Sequence, residues 1–244
     1  MLHARRGDHP VRLDWGVERL LDNEELERSS VVANRDMNRE RGLAGSNGYG
    51  RELGLDVAAF LAGRAAARSG MVEWLDLCCG TGTALLECAA AVADPGVRIT
   101  GVDLVDHFAG PPVPGVESVT ASVASWRPDR AFDLITCVHG LHYVGDKLGV
   151  PARSASWLAD DGVLAANLDL AAIRSERGTA WGRPLSAAVR AAGFDYDARR
   201  RRVGCVGRRE VSLPFGYLGA DDRAGPNYTG QPAVYSYYTR TAPL

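Results

Sequence analysis

One stretch constrains this chain more than any other. Val72 to Leu77 is a short apolar run that breaks at once into a glycine turn, Gly80-Thr81-Gly82, and then into an alanine- and leucine-rich segment, Ala84 to Ala93. A strand, a tight turn and a helix in that order open a parallel α/β unit. Glycine lacks a Cβ, so backbone there can approach a ligand closely. The helix start behind the turn offers free N–H groups and the positive end of its dipole. Alone, such a turn is a weak signal. It gains weight from Asp103, which closes the next strand-like run, Val97 to Val102, 21 residues after Gly82. A carboxylate there can accept both hydroxyls of an adenosine ribose or cap a following helix. Both features at this spacing favour a nucleoside site.

The rest of the chain keeps the alternation. Val116 to Ala121 and Ala131 to Val138 read as a third and a fourth strand. Val144 to Leu158 has helical character broken near Pro151, and Val163 to Leu170 reads as a fifth strand entered through Asp161-Gly162. Ala180 to Ala192 reads as a helix stopped by Gly193. Arg201 to Leu213 and Ala233 to Arg240 read as two last strands, with turn-rich sequence from Gly216 to Pro232 between them. Strands alternating with helices predict a parallel sheet covered on both faces, and a final pair without a helix between them predicts an antiparallel hairpin. The expected fold is therefore α/β, a seven-stranded, mostly parallel sheet. Before Gly70 the sequence reads as helical from Asp14 to Leu61. It comprises a polar segment from Asp22 to Arg35, a glycine-rich break from Gly42 to Gly50, and an alanine-rich helix from Glu52 to Arg68. We read residues 1–70 as an N-terminal helical lid and residues 71–244 as the core.

Composition narrows the function classes. The chain has 244 residues, 28 basic against 30 acidic, and a net charge of −2, so no basic face points to nucleic acid. The densest positive run, Arg199 to Arg202, reads either as a solvated strand entry or as a phosphate contact. The five cysteines, Cys78, Cys79, Cys88, Cys137 and Cys205, show no zinc-like spacing and no disulfide framework. The apolar stretches are only strand-length, and Met1 to Asp14 is charged, so we expect neither a membrane span nor a secretory signal. A cytoplasmic protein is the default expectation, with a homodimer open.

The run Asp76-Leu77-Cys78-Cys79-Gly80-Thr81-Gly82 resembles the first motif of the Rossmann-like S-adenosylmethionine-dependent methyltransferases, a strand ending in Asp or Glu followed by Gly-x-Gly-x-Gly, with Cys78 in place of the first glycine. The resemblance covers roughly Val72 to Leu170. It implies S-adenosylmethionine as cofactor and S-adenosylhomocysteine as product. It also implies cofactor contacts from Asp76, Cys78, Gly80, Gly82, Asp103 and the adjoining Leu104. After the third strand, Ser122 stands where members carry an Asp that binds the adenine amino group, with Val123 beside it. A hydroxyl there accepts more weakly than a carboxylate. Phe132 to Val138 matches the fourth strand, whose end borders the methyl group and the acceptor. A nicotinamide dehydrogenase fits less well, because Leu85 stands where its third glycine belongs. A cofactor-binding protein without catalysis is the further alternative.

His139-Gly140-Leu141-His142-Tyr143 follows that strand, at the end where open α/β sheets place ligands. An imidazole titrating near neutrality is a natural base for an acceptor proton. His142 and His139 are the catalytic candidates, and each is also readable as a pocket wall or a helix cap. Metal binding by His107, His139 and His142 is set aside for want of ligand spacing. In the lid, Asn38, Asn47, Tyr49 and Arg51 surround the glycine-rich break. Tyr49 and Arg51 can reach the cofactor's carboxylate or the acceptor, or else belong to a surface loop with one packed tyrosine. The tail tyrosines Tyr235, Tyr237 and Tyr238 read as sheet-face packing. The expected activity is methyl transfer to oxygen or nitrogen of a small molecule.

Overall fold

The computed structural model describes residues 19–33, 41–228 and 230–241. The expected helix start at Asp14, the lid residue Asn38 and the residues from Met1 to Asp14 lie outside these. The main sheet has seven strands in the order β3-β2-β1-β4-β5-β8-β7. They are β1 Val72–Leu77, β2 Val97–Asp103, β3 Val116–Thr120, β4 Phe132–Cys137, β5 Leu158–Asn167, β7 Asp195–Asp197 and β8 Arg202–Val206. The pairs β1/β2, β2/β3, β1/β4 and β4/β5 are parallel, and β8 runs antiparallel to both β5 and β7. Order therefore reverses between β1 and β4. Beyond their carboxyl ends, such a switch point leaves a crevice where open α/β sheets bind ligands.

Side-chain alternation gives the sheet two buried faces. Val72, Trp74, Ile99 and Leu134 pack with α2 Tyr49–Leu53, α3 Val57–Ala67 and α4 Thr83–Val92. Leu75, Leu77, Val102 and Ile135 pack on the other face with α5 Gly149–Ser156 and α6 Arg183–Ala191. Every residue of β1 and β4 is buried, so these strands are largely apolar, with Glu73, Asp76, Asp133 and Thr136 as buried polar exceptions.

Several elements differ from the sequence expectation. The antiparallel edge of the main sheet is β7 with β8, and not Arg201 to Leu213 with Ala233 to Arg240. The last strand, β10 Tyr235–Arg240, instead belongs to a separate three-stranded sheet. It is parallel to β6 Ile173–Ser175 and antiparallel to β9 Phe215–Asp221. A bulge between Tyr237 and Tyr238 breaks the alternation there, so both are buried. The fifth strand begins at Leu158, earlier than expected. Pro151 interrupts nothing, because it sits in the first turn of α5, where its missing N–H costs no hydrogen bond.

The described part of residues 1–70 falls into two pieces. Among the described residues from Asp22 to Ala33, the expected helix is limited to α1 Asn23–Glu27, closed by a capping box in which Glu25 N–H donates to Asp22 and Asp22 N–H donates to Glu25. Leu21 exchanges backbone hydrogen bonds with Ala220, so α1 rides on β9, where Leu26 packs with Ala220 and Val234. The helix expected from Glu52 to Arg68 is divided into α2 and α3 by Gly54, at φ +67°. Both pieces pack on the main sheet.

Candidate functional site

A cavity of about 330 Å³ opens at the switch point. Its floor is the loop after β1. Cys78 holds φ +57° and Gly80 φ +61°, left-handed values that let the chain turn sharply from strand to helix. Cys78 thus adopts a conformation that favours glycine, and it is among the residues that line the cavity. Asp103, at the end of β2, accepts from Gly80 N–H at 2.9 Å and from Val105 N–H at 3.1 Å. It caps no helix, since a bend and loop follow β2. Both bonds hold the carboxylate at the cavity wall, which Asp103 lines.

Of the residues singled out from sequence, Cys78, Gly80, Asp103, Leu104, Ser122, Val123, Val138, His139, His142 and Tyr49 meet around this cavity. Three do not. Asp76 lies fully buried beneath it, accepting from Tyr49 Oη at 2.6 Å and from Thr136 Oγ1 at 2.5 Å. Burial pushes its carboxyl up to about 7, while these two bonds favour the ionised form and pull the other way. Gly82 starts α4 at φ +74°, and the near atom on its open side is a ring carbon of Phe108. Its left-handed conformation by itself favours glycine there. Arg51 points outward and donates to Ser46 O at 3.0 Å.

Beyond β4 the backbone turns again through a left-handed residue, His139 at φ +58°, into the short 3₁₀ turn Gly140–His142. Non-glycine residues held there are costly and cluster at functional sites. His139 N–H donates to the buried Asn167 Oδ1 at 3.2 Å, which ties this turn to the end of β5. His139 Nδ1 lies 3.3 Å from His142 Nε2, and His139 Nε2 lies 3.0 Å from Glu52 Oε2 on α2. Burial lowers both histidines. His142 falls to about 3, helped by the neighbouring charges of His139, Lys147, Arg41 and Arg201. For His139 the lowering by burial and Arg41 is opposed by Glu52. Lys147 Nζ, itself buried and pushed down to about 7, donates to the carbonyls of His142 and Val144 and braces the turn.

Two arms complete the lining of the cavity. One carries Glu27 of α1, Arg41, Asn47 and Glu52; the other is the loop after β9 with Asn227 and Gln231. Tyr228 in that loop sets its ring 5.3 Å from His142 and 6.1 Å from His139, and Arg201 stacks over it at 4.0 Å. Arg201, from the run read as a strand entry or a phosphate contact, therefore holds the second arm. Glu27, Arg41, Glu52, Asn227 and Gln231 carry no local signal in the sequence, since only the fold brings them here. Among the described residues, no three His, Cys, Asp or Glu side chains stand where they could hold a metal ion, and no helix is long and apolar enough to cross a membrane.

The chain's own residues fit a nucleoside-bearing cofactor. A carboxylate closes the strand after the glycine turn, apolar Leu104 and Val123 stand beside it, and the cavity is of ordinary ligand size. A model of the methyltransferase domain matches residues 33–199, more than half of the chain. Among solved structures the chain is similar to CalS10, an amino pentose methyltransferase from Micromonospora echinaspora involved in calicheamicin biosynthesis. Identity there is 26%, covering 48% of this chain and 52% of that one, with a TM-score of 0.35. It is also similar to the plantazolicin methyltransferase BpumL, at 16% identity over 59% of this chain and 53% of that one, with a TM-score of 0.40. The [4+2]-cyclase SpnF matches at 20% identity over 57% and 56%, with a TM-score of 0.39. The matched region thus spans about half the length of these structures. No curated protein matches the chain. With the domain match running from the lid through β7 and the strand order reversing at β1 and β4, the chain belongs to the Rossmann-like, S-adenosylmethionine-dependent methyltransferase family.

Proposed function

We propose that this chain transfers a methyl group from S-adenosylmethionine to a nitrogen or oxygen of a small molecule held under the two arms. The observation that carries the reading is one cavity with the Gly80–Asp103 cradle at one end and the His139–His142 pair, backed by Glu52, at the other. When bound, the cofactor supplies an electrophilic methyl on a sulfonium. Asp103 accepts the ribose hydroxyls, and Gly80 gives the backbone close approach. The arms exclude water and hold the acceptor in line, which supplies most of the acceleration such a transfer needs.

The histidines divide the proton work. His142 is neutral at physiological pH and too weak a base to keep a proton for long. His139 faces a carboxylate that compensates its positive charge. A proton taken up at His142 passes along the 3.3 Å contact to His139 and settles beside Glu52. The confined cavity and the balanced overall charge favour a metabolite over a nucleic acid.

The test is transfer of labelled methyl from S-adenosylmethionine across amines, phenols and carboxylates. Turnover of at least one class is expected, falling about tenfold or more in His139→Gln. Tight S-adenosylhomocysteine binding with no transfer to any class would instead support a non-catalytic binding protein.

A further inference from the structure

Ser122, just beyond β3, donates its hydroxyl proton to Glu27 Oε1, and its Oγ accepts from Ala124 N–H at 3.1 Å. The hydroxyl proton is therefore committed and one of its two lone pairs is used, while Glu27, arriving from α1 95 residues earlier, lines the cavity beside it.

The direction of a bound nucleoside follows from the sheet. The histidine pair lies beyond β4, and the reacting end of a ligand must face it. A ribose on Asp103 at the end of β2 then sends its base the opposite way, toward β3. There Leu104 and Val123 offer apolar surface for a flat ring, and Ser122 with Glu27 stands at the rim. A base with an exocyclic amino group presents a donor that needs an acceptor at that rim; one with a carbonyl in its place presents an acceptor.

We propose that Glu27, positioned by Ser122, is the group that reads the base of the bound nucleoside. It accepts from the adenine amino group and rejects a 6-oxo purine by opposing two acceptors. This rests on the cofactor reading above. It means that base selection comes from the N-terminal arm, so closing α1 onto β9 completes the cofactor site. A carboxylate delivered by α1 takes the place of one on the loop after β3.

The experiment is calorimetric titration of the full chain with S-adenosylhomocysteine and with its 6-oxo analogue, S-inosylhomocysteine. The unmodified chain should prefer the adenine form by about 10-fold or more, the worth of one charge-assisted hydrogen bond. In Glu27→Gln the amide can turn its carbonyl to an amino group or its NH₂ to a 6-oxo group, so the ratio should collapse toward one. Glu27→Asp keeps the charge but withdraws it by one methylene and should give an intermediate ratio. Melting temperatures of both variants report that they are folded. If Glu27→Gln keeps the full preference, or if it survives there but vanishes in Ser122→Ala, Glu27 is not the reader. Equal binding of both ligands by the unmodified chain also overturns the proposal. Binding of neither ligand overturns the cofactor reading itself.

Discussion

Replacing Tyr49 with Phe tests how the lid is locked to the core. Tyr49 is buried in α2 and donates to the fully buried Asp76 at 2.6 Å, and its ring meets Trp74 edge-on with centroids 6.3 Å apart. The substitution keeps that ring contact and removes only the hydroxyl, leaving Asp76 with Thr136 as its donor. Loss of a buried hydrogen bond to a charged acceptor costs about 1.5–3 kcal/mol, or roughly 3–12 °C in Tm for a chain of this size. The cost also depends on pH. Because burial raises Asp76 from 3.8 to about 7, the folded state holds the proton more tightly than the unfolded chain. Its contribution is fully present below pH 3.8 and is lost as pH rises through 7. The Tyr49 hydroxyl favours the ionised form, so its removal raises the carboxyl further and adds its penalty above pH 7. Urea denaturation at pH 5 and pH 8 should give the larger loss at pH 8. Equal losses at both values, or a Tm within 1 °C of the unmodified chain at pH 8, would refute the reasoning (an ordinary surface change stays within about 0.5 kcal/mol).

Two further outcomes probe the turn that carries the histidines. A Cβ on Gly140 would lie 2.2 Å from Cys78 Cβ and 3.0 Å from Cys137 Sγ, so Gly140→Ala should cost about 1–3 kcal/mol. Adding Cys78→Gly, which suits φ +57°, should recover most of it, whereas additive losses would show the two sites to be independent. Glu52→Gln should lower the apparent pKa of His139 in a nitrogen-detected NMR titration, because the carboxylate is what opposes burial there; an unmoved titration would remove Glu52 from the pair.

The central strands and the glycine turn were legible because their signals are local. The buried strands are mostly apolar in sequence, and a turn at φ +61° and +74° favours glycine. Strand β7 was not legible, since Asp195–Asp197 is three residues long and polar. Strand β9 was hidden in glycine-rich sequence that read as turns, and its pairing with β10 is set by tertiary contact. The assignment of β10 to the main sheet failed for the same reason: a strand's partner is not written in its own residues. The site shows the same divide. Asp103 and His139 stand at strand ends and could be found by position. Glu27 and Glu52, each near the end of a five-residue helix, look like any solvated carboxylate until the fold brings them to the cavity.

The central claim is that this cavity holds S-adenosylmethionine through Asp103. Calorimetric titration with S-adenosylhomocysteine tests it without any acceptor. The account predicts saturable one-to-one binding that weakens about tenfold or more in Asp103→Ala, since charge-assisted hydrogen bonds to ribose hydroxyls are worth roughly 1.5–3 kcal/mol each. No heat with the unmodified chain, or an affinity unchanged in a folded Asp103→Ala, would contradict it.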